Sequence, residues 1–139
     1  MAYFVGTHER QLDDKGRLAL PVSFRTHLGD RCYLVHGENN CVRVVRAEDF
    51  EAMADELKER VKRGEVSKQY QRVIAANAAP AEFDRQGRVK VDDKLRQYAG
   101  LMPESKVFVI GNLDDIEIWS PERFERVTEL GTTEIAGTL

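Results

Sequence analysis

Asp13-Asp14-Lys15-Gly16-Arg17-Leu18-Ala19-Leu20 is answered 71 positions later by Asp84-Arg85-Gln86-Gly87-Arg88-Val89-Lys90-Val91. Both stretches read Asp-x-x-Gly-Arg followed by alternating aliphatic residues, and self-similarity at a fixed spacing marks a chain built from a repeated unit. The aspartates suit a turn, because a short carboxylate can accept backbone N–H groups two or three residues on. The glycines supply the positive φ that such a turn demands and that a Cβ resists. Turn-forming roles therefore fall to Asp13, Gly16, Asp84 and Gly87. In the strand that follows, the alternation turns Leu18 and Leu20, or Val89 and Val91, inward. Arg17 and Arg88 are then left on the opposite, exposed side.

Further along, Phe24-Arg25 matches Leu95-Arg96 at the same spacing, each preceded by a segment that suits a short helical turn. After a small insertion the offset becomes 74, matching Tyr33-Leu34-Val35 to Val107-Phe108-Val109 and Val42-Arg43-Val44 to Ile116-Glu117-Ile118. Gly37-Glu38-Asn39-Asn40 and Gly111-Asn112-Leu113-Asp114 are turn-prone links between these β-branched runs, which predicts a hairpin in each copy. A helix follows each hairpin. Phe50, Met53, Leu57 and Val61 form one apolar stripe ended by Gly64, and Ser120-Pro121 opens a second helix with Phe124 and Val127 on its apolar face. Tyr70, Val73 and Ile74 predict a connecting helix closed by Pro80. The expected organisation is a first repeat over residues 1–62, a connecting helix over 63–79, a second repeat over 80–130 and a disordered tail over 131–139. A unit of about 55 residues buries too little apolar surface alone. The strands of one copy are therefore expected to complete the sheet of the other, giving an α+β, β-rich fold with a pseudo-twofold barrel and flanking helices.

The arginine fork can bond guanine O6 and N7 together, so Arg17 and Arg88 are candidate DNA-reading residues. The bland alternative is that Asp13 with Arg17, and Asp84 with Arg88, form turn-spanning ion pairs. Lys15 and Arg85 lie inside the turns and, with Arg10 and Arg25, are candidate phosphate contacts. The formal net charge of −3 across 139 residues does not advertise a nucleic-acid protein. Charge acts locally, however, and an oligomer can gather a few cations on one surface. His8, His27 and His36 lie on different local elements, and no nucleophile has a base beside it. There is also no phosphate-binding glycine loop, so no enzyme, catalytic residue or small-molecule substrate is expected. Cys32 and Cys41 have no neighbouring ligand at metal spacing and read as buried or edge-strand thiols, with no metal or cofactor expected. No apolar run approaches the roughly 20 residues of a membrane span, and no leader is evident in Met1 to Gly6, which places the expectation in the cytoplasm without a membrane partner.

Phe4-Val5-Gly6, Leu12 through Pro21 and the second Asp84-x-x-Gly87-Arg88, followed by Ile116-Glu117-Ile118-Trp119, resemble the bacterial MraZ family over about residues 3 to 128. That resemblance implies an AbrB-like swapped-hairpin fold, closed-ring homo-oligomers and a nucleoid-associated regulator. It also implies double-stranded promoter DNA as partner, bound at tandem direct repeats upstream of the protein's own division and cell-wall gene cluster. By the same resemblance Arg17 is the main DNA-reading residue, with Arg88 in the matching place. Gln86 stands where the first copy has Lys15, so the two copies are not expected to touch DNA equally. A ring-forming scaffold or protein-interaction module, using the helix from about Ala47 to Val61, remains the competing class.

Overall fold

The computed structural model describes residues 3–137. Alternation of less and more exposed positions marks strands β1 (Thr7–Gln11) and β2 (Arg17–Ala19), and the chain then turns through helix α1 (Val22–Leu28) into the hairpin β3 (Cys32–Gly37) and β4 (Cys41–Arg46). Helix α2 (Ala47–Lys62) follows and ends at Gly64, which takes φ 75°. Helix α3 (Lys68–Asn77) is capped by Ser67, whose Oγ accepts the backbone N–H of Tyr70 at 3.1 Å. The second copy repeats the order: β5 (Ala79–Pro80), β6 (Arg88–Lys90), α4 (Asp93–Ala99), β7 (Lys106–Asn112), β8 (Asp115–Trp119) and α5 (Pro121–Ala136).

The pairing interlocks the copies. A six-stranded antiparallel sheet runs β1-β7-β8-β4-β3-β5, a palindrome in which each repeat's hairpin is flanked by the other repeat's first strand. At its centre Val42 pairs with Ile118 and Val44 with Ile116, so a pseudo-twofold axis passes through Arg43 opposite Glu117. A separate ribbon joins β2 to β6, with Leu18 opposite Val89, again residues 71 apart. Leu18, Leu20, Phe24, Leu28 and their counterparts Val89, Val91, Leu95 and Ala99 share one core with Leu34, Val42, Val44, Val109, Ile116 and Ile118 from the sheet. Sheet and ribbon thus close on a single interior that neither copy could complete alone. The fold is α+β, as expected, but helices hold more of the described residues than strands do, and the strands form two sheets rather than one closed barrel.

Two further expectations change. Gly37 pairs with Cys41 across a three-residue loop, whereas Asn112 pairs with Asp115 across two residues. The structural counterpart of Tyr33 is therefore Phe108, an offset of 75: Tyr33 stacks on Phe50 at 4.3 Å, and Phe108 meets Phe124 at 5.5 Å. Because side chains alternate with period two, this one-residue difference decides which face each residue occupies. Residues 131–136, expected to be disordered, continue α5, and the left-handed cap falls at Gly137 with φ 75°. Residues 138–139 of that expected tail lie outside the described residues. Among the described residues no helix is long and apolar enough to cross a membrane.

Candidate nucleic-acid interface

Each turn is closed by its own aspartate. Asp13 Oδ1 accepts the backbone N–H groups of Lys15 at 2.9 Å and Arg17 at 2.8 Å, while Oδ2 takes Arg17 Nε at 2.7 Å. Asp84 repeats the pattern with Gln86, Arg88 and Arg88 Nε, all at 2.9 Å. Gly16 and Gly87 stand at φ 77° and 75°, so the turn geometry expected from the repeated motif is present in both copies. The backbone N–H of Arg17, aided by its guanidinium, holds the Asp13 carboxyl at a pKa of about 2, and the same arrangement at Arg88 lowers that of Asp84. Both aspartates therefore stay ionised at neutral pH.

Arg17, Ala19, Arg88 and Lys90 occupy one face of the ribbon, since Leu18 and Val89 between them turn into the core. The pairing brings motif residues from opposite ends of the chain together. Arg88 Nη1 lies 3.5 Å from Asp13 Oδ2, so one carboxylate orients both arginines. The turn-spanning ion pairs are real, but they engage mainly the Nε side of each guanidinium. The side chains remain 31% and 29% exposed. Lys90 sits directly across from Arg17, whose charge Asp13 already answers, so Lys90 carries the surplus positive charge on this face.

Lys15 and Arg85 are exposed at the tips of the two turns. Arg10 belongs to β1 of the larger sheet rather than to the ribbon, with Nη1 donating to the Glu9 carbonyl at 2.8 Å. Arg25 reaches the motif from the other copy: its guanidinium lies over Gly87, with Nε donating to the Leu20 carbonyl at 3.3 Å. Arg96 lies over Gly16 in the same way. Sequence reasoning matched Arg25 to Arg96 and Gly16 to Gly87, yet assigned no contact between them. The shared offset of 71 was the available signal. Lys90 opposite Arg17 was likewise invisible until the two strands were paired.

The family model described as "MraZ protein, putative antitoxin-like" matches residues 3–72 and again residues 74–133. The chain belongs to the MraZ family. Each matched stretch contains one Asp-x-x-Gly-Arg motif. A Saccharopolyspora erythraea protein named "Transcriptional regulator MraZ" is 39% identical over 122 residues, 88% of this chain and 84% of the relative. A Cutibacterium acnes protein of the same name is 36% identical over 130 residues, 91% and 87% of the two chains. The Alkaliphilus metalliredigens MraZ regulator is 34% identical over 139 residues, covering 98% of this chain and 96% of its own.

Proposed function

We propose that this chain is a DNA-binding transcriptional regulator that reads double-stranded promoter DNA through the β2–β6 ribbon. The observation that carries this reading is the convergence of Arg17 and Arg88, one from each copy, on one face of a two-stranded ribbon with Lys90 opposite Arg17. A major groove about 12 Å wide admits such a ribbon, and an arginine fork there reads guanine O6 and N7. In this reading Arg17 and Arg88 contact bases, while Lys15, Arg85 and Lys90 contact phosphates. Arg25, against Gly87, and Arg10, on β1 of the larger sheet, add further positive charge. No catalytic step or cofactor is invoked, and the names of the relatives agree with a regulator.

The finer reading is that copies of the chain assemble as a ring in the cytoplasm, on the nucleoid. There they occupy tandem direct repeats upstream of their own division and cell-wall gene cluster. Repeats spaced by one helical turn, roughly 10 bp, present equivalent groove faces to successive subunits. Interlocked hairpin units are the natural basis for such a ring, since the sheet already accepts strands across the repeat boundary. Footprinting the protein on the DNA upstream of its gene tests this directly. Protection at regularly spaced short repeats is expected, with affinity falling steeply as salt rises through counterion release. Uniform, unspaced protection would overturn it.

One observation favours a scaffold as a second reading. A groove of about 550 Å³ between α2, α3 and the β3–β4 hairpin is lined by Met53, Leu57, Tyr70, Val73, Ile74 and Tyr98. A scaffold using that groove would show no preference for upstream DNA at any salt concentration.

A further inference from the structure

We propose that Arg96 and Arg25 are positioning residues for the ribbon, each setting the turn that presents the other copy's motif arginine. The inference rests on the DNA-reading role given above to Arg17 and Arg88. A methyl group placed on Gly16 would come within 2.6 Å of Arg96 Nε, 3.0 Å of Cζ and 3.2 Å of Cδ. One placed on Gly87 would come within 2.6 Å of Arg25 Cζ and 2.8 Å of Nη1. Both glycines are buried although they sit in surface turns, and a planar guanidinium from the other copy lies against each. The glycines supply the positive φ, and a Cβ at either would have to displace the guanidinium that lies against it.

The contact at Gly16 is held from several sides. Arg96 Nε donates to the Val91 carbonyl at 2.9 Å, Nη2 pairs with Asp93, and the Val91 N–H donates to the Gly16 carbonyl at 2.9 Å. Turn, ribbon end and helix α4 therefore form one linked unit, and Arg17 follows Gly16 directly. The brace at Gly87 is lighter, since Arg25 has only the Leu20 carbonyl at 3.3 Å and no ion pair among the described residues. A guanidinium packed against a glycine, with Nε committed to a carbonyl, is placed to fix backbone rather than to meet a phosphate. Lysine keeps the charge but cannot reproduce the plane or the directed Nε bond.

Arg96→Lys and Arg96→Gln, checked for unchanged oligomer size and melting temperature, separate the roles. Affinity is measured for a duplex from upstream of the gene and for a scrambled duplex across a salt series. If Arg96 positions the turn, both variants lose about tenfold of the preference for the upstream duplex, the scale of one misplaced arginine fork, while the scrambled affinity and salt slope stay as in the wild type. Wild-type behaviour of Arg96→Lys, with Arg96→Gln weakening both duplexes and lowering the salt slope by about one, makes it a phosphate contact and overturns the proposal. Unchanged preference in both variants overturns it as well.

Amide hydrogen exchange at Lys15 to Arg17 without DNA gives a readout that survives failure of the DNA reading. Loss of protection there in Arg96→Lys is expected, and wild-type protection contradicts the brace. If the wild type shows no preference for the upstream duplex, the DNA reading fails while the exchange result still decides the brace. Should the Arg96 variants not fold, Arg25→Lys enters the same assays, with exchange followed at Gln86 to Arg88.

Discussion

At Asp13 one carboxylate gathers the N–H groups of Lys15 and Arg17, the Arg17 guanidinium and, at 3.5 Å, Arg88 Nη1. The Arg17 backbone N–H above all, with the Arg17 guanidinium and the Lys15 N–H, favours its ionised form and brings its pKa from 3.8 down to about 2. An acid that releases its proton more readily when folded adds stability above its unfolded value, and that contribution is lost as pH falls through the folded value. Wild type is therefore expected to lose stability between pH 3.8 and about 2 more steeply than Asp13→Asn. Urea midpoints across that range check this, and parallel curves would contradict it. Asp84, lowered by the matching contacts, adds to the same acid limb. The thiols behave oppositely: burial pushes the Cys32 pKa up to about 11 and that of Cys41 higher still. Both are expected to resist a thiol reagent at neutral pH until denaturant is added, and prompt reaction of either in the native protein would contradict their burial.

Among the elements, α5 shows what a glycine means in two settings. Gly131 lies mid-helix with nothing within 4 Å of a Cβ built on it, so Gly131→Ala is expected to stabilise the protein by up to about 1 kcal/mol. Thermal melts check this, and a lowered melting temperature would contradict it. Gly16→Ala should instead destabilise, because both its φ and Arg96 oppose a side chain. Leu18→Ala removes a side chain only 1% exposed beneath the ribbon and is expected to cost about 2–5 kcal/mol, read by chemical denaturation. The phase of the ribbon was legible because Arg17 and Arg88 alternate with residues that are plainly apolar. The phase of β7 against β3 was not: Tyr33, Leu34 and Val35 are all apolar or amphipathic, so composition fitted either offset until the shorter second loop decided it. The tail from Gly131, small and polar with no apolar period, gave no sign of a helix, yet α5 runs on to Ala136, since a glycine in a helix costs little enough for its neighbours to carry it.

Over the whole molecule, the repeat announced the interlocking but not the particular pairs. Leu18 opposite Val89 and Arg43 opposite Glu117 place equivalent residues on the pseudo-twofold axis, as the offsets of 71 and 74 require. Nothing local in either strand foretold that β2 would pair with β6 rather than with a strand of its own copy, because that choice is made by the shared core. The same pairing brings Arg17, Arg88 and Lys90 to one face of the ribbon, a grouping that net charge does not show. The claim that Arg17 and Arg88 read DNA together from this ribbon is tested most directly by anisotropy titrations at one fixed salt concentration. Wild type, Arg17→Ala, Arg88→Ala and the double variant are compared on an upstream duplex and a scrambled one. Each single variant is expected to lose about tenfold of the preference for the upstream duplex, and the double variant all of it, with oligomer size unchanged. A double variant that keeps both its oligomer and the wild-type preference would contradict the claim.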